Sequence, residues 1–161
     1  MTNQTAGQTE EIVERHILVA VDRSENAKRA VQFVGDFFGC YPGFRVTLLH
    51  AVLEPDAGYF ADEQARREWM HQRQTEGETL LAEYRQLLID SGFKPDKIDK
   101  EIATGRGSSV ADIIIREQEC LSCCAIVIGR RGISKKEEFI FGSTSNKILH
   151  STSHCAVMVI E

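Results

Sequence analysis

Four residues near the end of the chain have the types and spacing to hold an anion: Gly129, Gly132, Gly142 and Ser143, with Thr144 next in line. Ala125 to Ile128 is a short apolar run, partly β-branched, that reads as a buried strand. Glycines directly after it let backbone N–H groups approach a ligand without a Cβ in the way. Gly142, Ser143 and Thr144 then open a helix, where unpaired N–H groups and the helix dipole favour an anion and the hydroxyls add donors. The two turns together read as a phosphate cradle. Arg130 and Arg131 sit between the first two glycines, and Lys135 and Lys136 follow, either as phosphate contacts or as a solvated charged loop beside Glu137 and Glu138.

Those turns need elements to carry them, and strands and helices alternate from His16 onward. Ile17, Leu18, Val19 and Val21 form the near-continuous apolar run of a strand covered on both faces. Ser24 can cap a helix in which Ala27, Ala30, Val31 and Val34 recur at helical spacing. Phe44 to Leu53 reads as the second strand. From Tyr59 to Ser91 runs a long charged segment whose second half has a clear apolar face in Leu80, Leu81, Tyr84, Leu87 and Leu88. Its first half, to Arg73, is open between early helical turns, a mobile lid and a subunit contact. Lys97 to Ala103 reads as a third strand, interrupted by charge as an edge strand is. Thr104 to Ser109 reads as a turn, with Ser108 or Ser109 capping a helix that carries Val110, Ile113 and Ile114. Cys124 to Ile128, Ser143 to Ser151 and Cys155 to Ile160 complete a β-α-β-α-β-α-β-α-β order, which implies one α/β domain with a parallel five-stranded sheet and helices on both faces. Residues 1–14 read as a flexible tail and residues 15–161 as the domain.

The spacing Gly-x2-Gly-x9-Gly-Ser resembles the nucleotide-binding signature of the universal stress protein family. His16 to Ser24, ending in Asp22-Arg23-Ser24, is similar to that family's first strand and its Asp-x-Ser turn, and Val46 to Val52 is similar to its second strand. The resemblance implies a sheet of strand order 3-2-1-4-5, with Asp22 and Gly129 facing one crevice. It further implies that Ala20 and Asp22 contact the adenosine part of a nucleotide and that Ala51 offers backbone groups to the adenine. Gly129, Arg131, Gly132, Gly142, Ser143 and Thr144 would hold the ribose and phosphates. ATP or AMP is the expected ligand, with Mg²⁺ as a companion that a carboxylate such as Asp22 can hold; the alternative, that Asp22 only caps the following helix, is the weaker one because Ser24 is there to cap it. Ligand binding would order the Gly132–Gly142 loop. The family resemblance also implies a homodimer through the last strand and a regulator that acts on a protein partner under stress. Arg131 stands where the family often has histidine, and Ala156 where it often has proline.

Composition narrows the field. With 161 residues, 42% apolar and 27% charged, the chain suits one globular domain. A formal net charge of -5 speaks against a general nucleic-acid binder. No apolar run reaches membrane-spanning length, and Met1 to Gln8 lack a signal-peptide pattern, so a cytoplasmic location without membrane contact is expected. There is no Walker A motif, Gly-x-Ser-x-Gly elbow or His-Glu-x-x-His pair. Binding is therefore favoured over catalysis, the alternative being a slow ATPase or nucleotide-dependent transferase at the same site. His50 reads as a packed histidine. Cys120, Cys123 and Cys124 contain a Cys-x-x-Cys pair, read as small thiols packed between a helix end and a strand rather than as a metal site.

Overall fold

The computed structural model describes residues 13–130 and 142–161. Strand β1 spans Arg15–Ala20, helix α1 Glu25–Phe38, β2 Phe44–Glu54, α2 Glu63–Asp90 and β3 Ile98–Arg106. They are followed by α3, Val110–Leu121; β4, Ala125–Gly129; α4, Ser143–Ser151; and β5, Ala156–Ile160. The sheet is parallel with order β3-β2-β1-β4-β5, the order expected from the sequence.

Alternating strand residues feed two cores. Val19 and Val21 of the β1 region, Leu48 and Val127 pack with Ala30, Val31 and Val34 of α1 and Leu80, Leu81 and Leu88 of α2. Leu18, Leu49, Ile126 and Ile128 pack instead with Ile113 and Ile114 of α3 and Ile148 of α4. Burying both faces explains why Ile17 to Ala20 of β1 and Ala125 to Ile128 of β4 are apolar at every position instead of every second one. β5, bonded to β4 alone among the described strands, keeps partial exposure along its length.

Helix α2 begins earlier than its apolar face requires. Asp62 caps it by accepting from the Ala65 N–H at 2.8 Å. Side-chain bonds from Gln64 to Glu68, Gln72 to Glu76 and Gln74 to Glu78, all spaced four apart, support its exposed first half. Glu54, half-buried at the end of β2, fastens that half to the sheet by accepting from both Arg66 and Arg106. Phe60 packs edge-on to Trp69, with ring centroids 5.7 Å apart, and the Arg73 guanidinium lies 5.7 Å from the Trp69 centroid. Of the readings open for residues 59–73, the helical one holds from Glu63 on.

One boundary differs from expectation. β3 continues through Thr104, Gly105 and Arg106, paired with Val52, Leu53 and Glu54, where the sequence reads as a turn. Glycine is a poor strand former, but here Gly105 is where the Ser108 side chain and Ile113 come close, so a side chain would not fit. The turn starts only at Gly107, whose φ is +67°. At the end of α2 the cap is Ser91, with Gly92 one residue beyond at φ +107°, the left-handed position that favours glycine.

Candidate functional site

The sheet reverses its direction of growth at β1, whose neighbours β2 and β4 lie on opposite sides, so a crevice opens beyond the carboxyl ends of β1 and β4. The β1 end of it is tightly built. After Ala20 the Val21 N–H donates to the Leu49 carbonyl at 2.8 Å, and the chain then leaves the sheet. Asp22 Oδ1 accepts the Ser24 N–H at 2.9 Å, and Ser24 Oγ accepts the Ala27 N–H at 3.1 Å as the N-cap of α1. The Asp-x-Ser sequence thus folds into two consecutive turns that close on themselves.

Two side chains brace this turn from the α1–α2 side. His50 Nδ1 meets the Val21 carbonyl at 3.0 Å, and because a carbonyl only accepts, the proton resides on Nδ1. The Tyr84 hydroxyl donates to the Asp22 carbonyl at 3.0 Å. Burial, together with the nearby Asp22 charge, pushes the Tyr84 phenol up to about 12, so it stays a donor at neutral pH. Reading His50 as packed is correct, and its partner is now identified. Tyr84 is legible in the sequence only as part of an apolar helix face; its hydroxyl contact, 62 positions from Asp22, is made by tertiary packing.

On the other face, Ala20 and Ala51 are half-buried and pack with the α3–α4 core, as does buried Ala103, the register partner of Ala51. Three small side chains thus lie on this face towards the carboxyl ends of β1, β2 and β3. Ala20 and Ala51 are therefore brought to the same side as α4.

At the β4 end, Gly129 pairs with Ile160 and sits against the first turn of α1: a Cβ there would lie 2.7 Å from the Asn26 carbonyl carbon. The Arg130 N–H donates to the Ile160 carbonyl at 2.6 Å, and the Arg130 carbonyl accepts from the Gly142 N–H at 3.0 Å and Ser145 Oγ at 3.1 Å. Gly129 and the start of α4 are thus held side by side. Gly142 is the N-cap of α4 and brings no side-chain oxygen to it; the first intrahelical bond is Asn146 N–H to the Gly142 carbonyl, 3.0 Å. The sequence reading left the Gly142 N–H unpaired, but it is spent on Arg130, because closing the base of the segment takes precedence. The N–H groups available to a ligand begin with Ser143 and Thr144, which precede that first bond. Arg131 and Gly132 lie outside the described residues. The Arg130 guanidinium pairs with Glu161.

The arrangement joins a carboxylate turn, a sheet face of small alanine side chains and a helix start without a side-chain cap at one switch point. Such a combination suits a ligand with a flat ring and an anionic end. A groove of about 500 Å³, lined by Arg23, Ser24, Lys28, Glu83 and Tyr84, lies between α1 and α2 on the opposite side of the β1–α1 turn from α4. No group of three or more His, Cys, Asp or Glu side chains among the described residues is arranged to hold a metal ion. None of the described helices is long and apolar enough to cross a membrane.

The family model of the universal stress proteins matches residues 14–161. The chain belongs to the universal stress protein family. Among solved structures, the hypothetical protein MJ0577 is similar at 23% identity, with 92% of this chain and 96% of that one covered and a TM-score of 0.76. Universal stress protein UspA from Lactobacillus plantarum is similar at 20% identity, covering 91% and 97% of the two chains with a TM-score of 0.71. A universal stress protein from Archaeoglobus fulgidus, solved in complex with dAMP, is 21% identical over 93% of this chain and 99% of its own, with a TM-score of 0.63. Another family member, 14% identical with a TM-score of 0.64, was solved in complex with cAMP, over 92% of this chain and 98% of its own. These likenesses establish the shared fold. No curated protein matches the sequence.

Proposed function

We propose that this universal stress protein binds an adenine nucleotide, ATP or AMP, in the crevice between β1 and β4 and acts as a stress-responsive regulator without strong catalytic activity. The observation that carries the reading is the meeting of the Asp22 turn with the start of α4, capped by Gly142 alone, at the switch point of the sheet. In this reading the adenine lies beside Ala20 and Ala51, Asp22 takes the ribose hydroxyls, and the phosphates lie at the N–H groups of Ser143 and Thr144. Gly129, Arg131, Gly132 and Gly142 complete the phosphate side. Where Mg²⁺ accompanies ATP, Asp22 can supply one oxygen to an ion that otherwise keeps phosphates and water. Nucleotide complexes of two relatives of the same fold support the ligand class. The partly exposed β5 supports a homodimer that forms through that strand.

A backbone substitution tests the phosphate role. Ser143 is the first residue of α4, a position that tolerates proline, and Gly142 already has φ −64° and ψ 157°, the extended conformation required before proline. Ser143→Pro removes one N–H donor while keeping the helix, and Ser143→Ala controls for the hydroxyl. Loss of one charge-assisted bond is expected to weaken ATP binding about ten- to a hundredfold in Ser143→Pro beyond any effect in Ser143→Ala. Equal affinity in the two variants would remove α4 from the site.

A further inference from the structure

The Cys-x-x-Cys pair visible in the sequence is not the pair that the fold prepares. Cys123 is 2% exposed, in the α3–α4 core, and burial pushes its thiol up to about 12, so it is neither accessible nor ionised at neutral pH. Cys120 is exposed on α3, and Cys40 is exposed two residues past the end of α1. The neighbours of interest are separated by 31 positions in the sequence. β4 and β5 pair in parallel with Ala125 opposite Ala156, and the Ala156 N–H donates to the Cys124 carbonyl at 3.0 Å. Cys124 and Cys155 therefore enter adjacent strands side by side. Ile126 and Val157, two positions on from each, both belong to the α3–α4 face, as does Cys155 itself, and the Cys124 thiol lies near enough to Cys155 to help push its ionisation up. Adjacent strands lie about 4.8 Å apart, inside the Cα separation of about 4.4–6.8 Å that a disulfide bridges.

We propose that Cys124 and Cys155 form a redox modification site that closes to an intramolecular disulfide across β4 and β5 in exchange with a low-molecular-weight disulfide of the glutathione type. Cys124 is exposed and Cys155 half-buried, so the external disulfide meets Cys124 first. The Cys124 thiolate attacks one sulfur of that disulfide, forming a mixed disulfide and releasing one thiolate, which takes up a proton. The Cys155 thiolate then attacks the Cys124 sulfur, closing the protein bridge and releasing the second thiolate, which takes up the proton Cys155 has lost. Two protein thiols are oxidised to one disulfide, and one external disulfide is reduced to two thiols. In the reduced protein Cys124 Sγ contacts the His16 carbonyl at 3.3 Å and Cys155 Sγ the Ala156 carbonyl at 3.4 Å, so closure requires both side chains to turn about χ1. The bridge would fasten the entry of β5 to the inner sheet, at the end remote from the Gly129–Gly142 crevice.

The test is a peptide map of the full chain equilibrated with oxidised glutathione, acid-quenched, alkylated and digested with trypsin without reductant. Cys120, Cys123 and Cys124 share the fragment between Arg116 and Arg130, and Cys155 lies in the fragment after Lys147. The expected product is these two fragments joined, lighter by two hydrogens than their sum, with fragmentation assigning the link to Cys124. It should vanish in Cys124→Ser, persist in Cys120→Ser and be reversed by reduced glutathione. A glutathione adduct on Cys124 without closure, a link to Cys120 or Cys123, or full retention of free thiols would each overturn the proposal. The wild-type map decides this even if Cys155→Ser, at a half-buried site, fails to fold.

Discussion

Replacing Gly129 with alanine is expected to destabilise the domain before any ligand is considered. A Cβ at this position would lie 2.7 Å from the Asn26 carbonyl carbon, 2.8 Å from Asn26 Cβ and 2.9 Å from the Ala27 nitrogen. Carbon atoms ordinarily meet at about 3.5–4.0 Å, so the first turn of α1 must retreat by about 0.8 Å or more. Two of the three atoms are backbone, and that turn is fixed by the Ser24 cap and its bond from Ala27, so no flexible side chain can absorb the shift. Overpacking of this kind costs about 1–3 kcal/mol, while exchanging glycine for alanine returns about 0.4–1 kcal/mol through the unfolded chain. The φ of Gly129 is outside the left-handed range, so space alone sets the outcome. A net loss of about 1–2 kcal/mol corresponds to a fall in Tm of about 2–8 °C for a domain of this size. Urea unfolding of the ligand-free protein should show a lower midpoint at unchanged slope. Gly129→Ala that is as stable as the parent, or more stable, would refute the reasoning and leave ligand approach as the reason for this glycine.

Two further outcomes follow from the braces around the site. Glu54 accepts from Arg66 and then Arg106, and these bonds hold its carboxyl at about 2, below its ordinary value of 4.5. A depressed folded-state pKa contributes stability above the ordinary value that is lost as pH falls from about 4.5 towards about 2; Glu54→Gln should therefore flatten the stability profile in that window, measured by urea titration at successive pH values, and an unchanged profile would show that the clip carries no linkage. Tyr84→Phe removes the donor to the Asp22 carbonyl and is expected to cost about 0.5–1.5 kcal/mol in urea unfolding, with no loss meaning that the hydroxyl does not brace the turn.

Much of the sheet was legible because its signals are local: continuous apolar runs at Ile17–Val19 and Ala125–Ile128, a serine before α1, a serine before α3. Ser109 caps α3 in a reciprocal box with Asp112, one of the two serines anticipated there. The family resemblance supplied the strand order, which no single segment encodes. Other features depended on partners distant in sequence. β3 extends past Ala103 because Val52–Glu54 lies beside it, and the first half of α2 is helical because Asp62 caps it and Glu54 fastens Arg66. In the site, the Asp22-Arg23-Ser24 turn was readable from residue type, whereas Tyr84 and the Arg130 carbonyl enter through contacts that no spacing rule gives. The expectation of packed thiols holds for Cys123 and not for exposed Cys120 and Cys124, since a helix end presents only some of its positions to the core.

The central claim is adenine-nucleotide binding, and calorimetric titration of ATP and AMP, with Mg²⁺, into protein stripped of bound nucleotide tests it most directly. Saturable binding at micromolar affinity or tighter, weakened by Asp22→Asn, which keeps an oxygen for the Ser24 N–H but removes the charge, is the expected result. Absence of detectable heat for either nucleotide, with the protein folded, would contradict it.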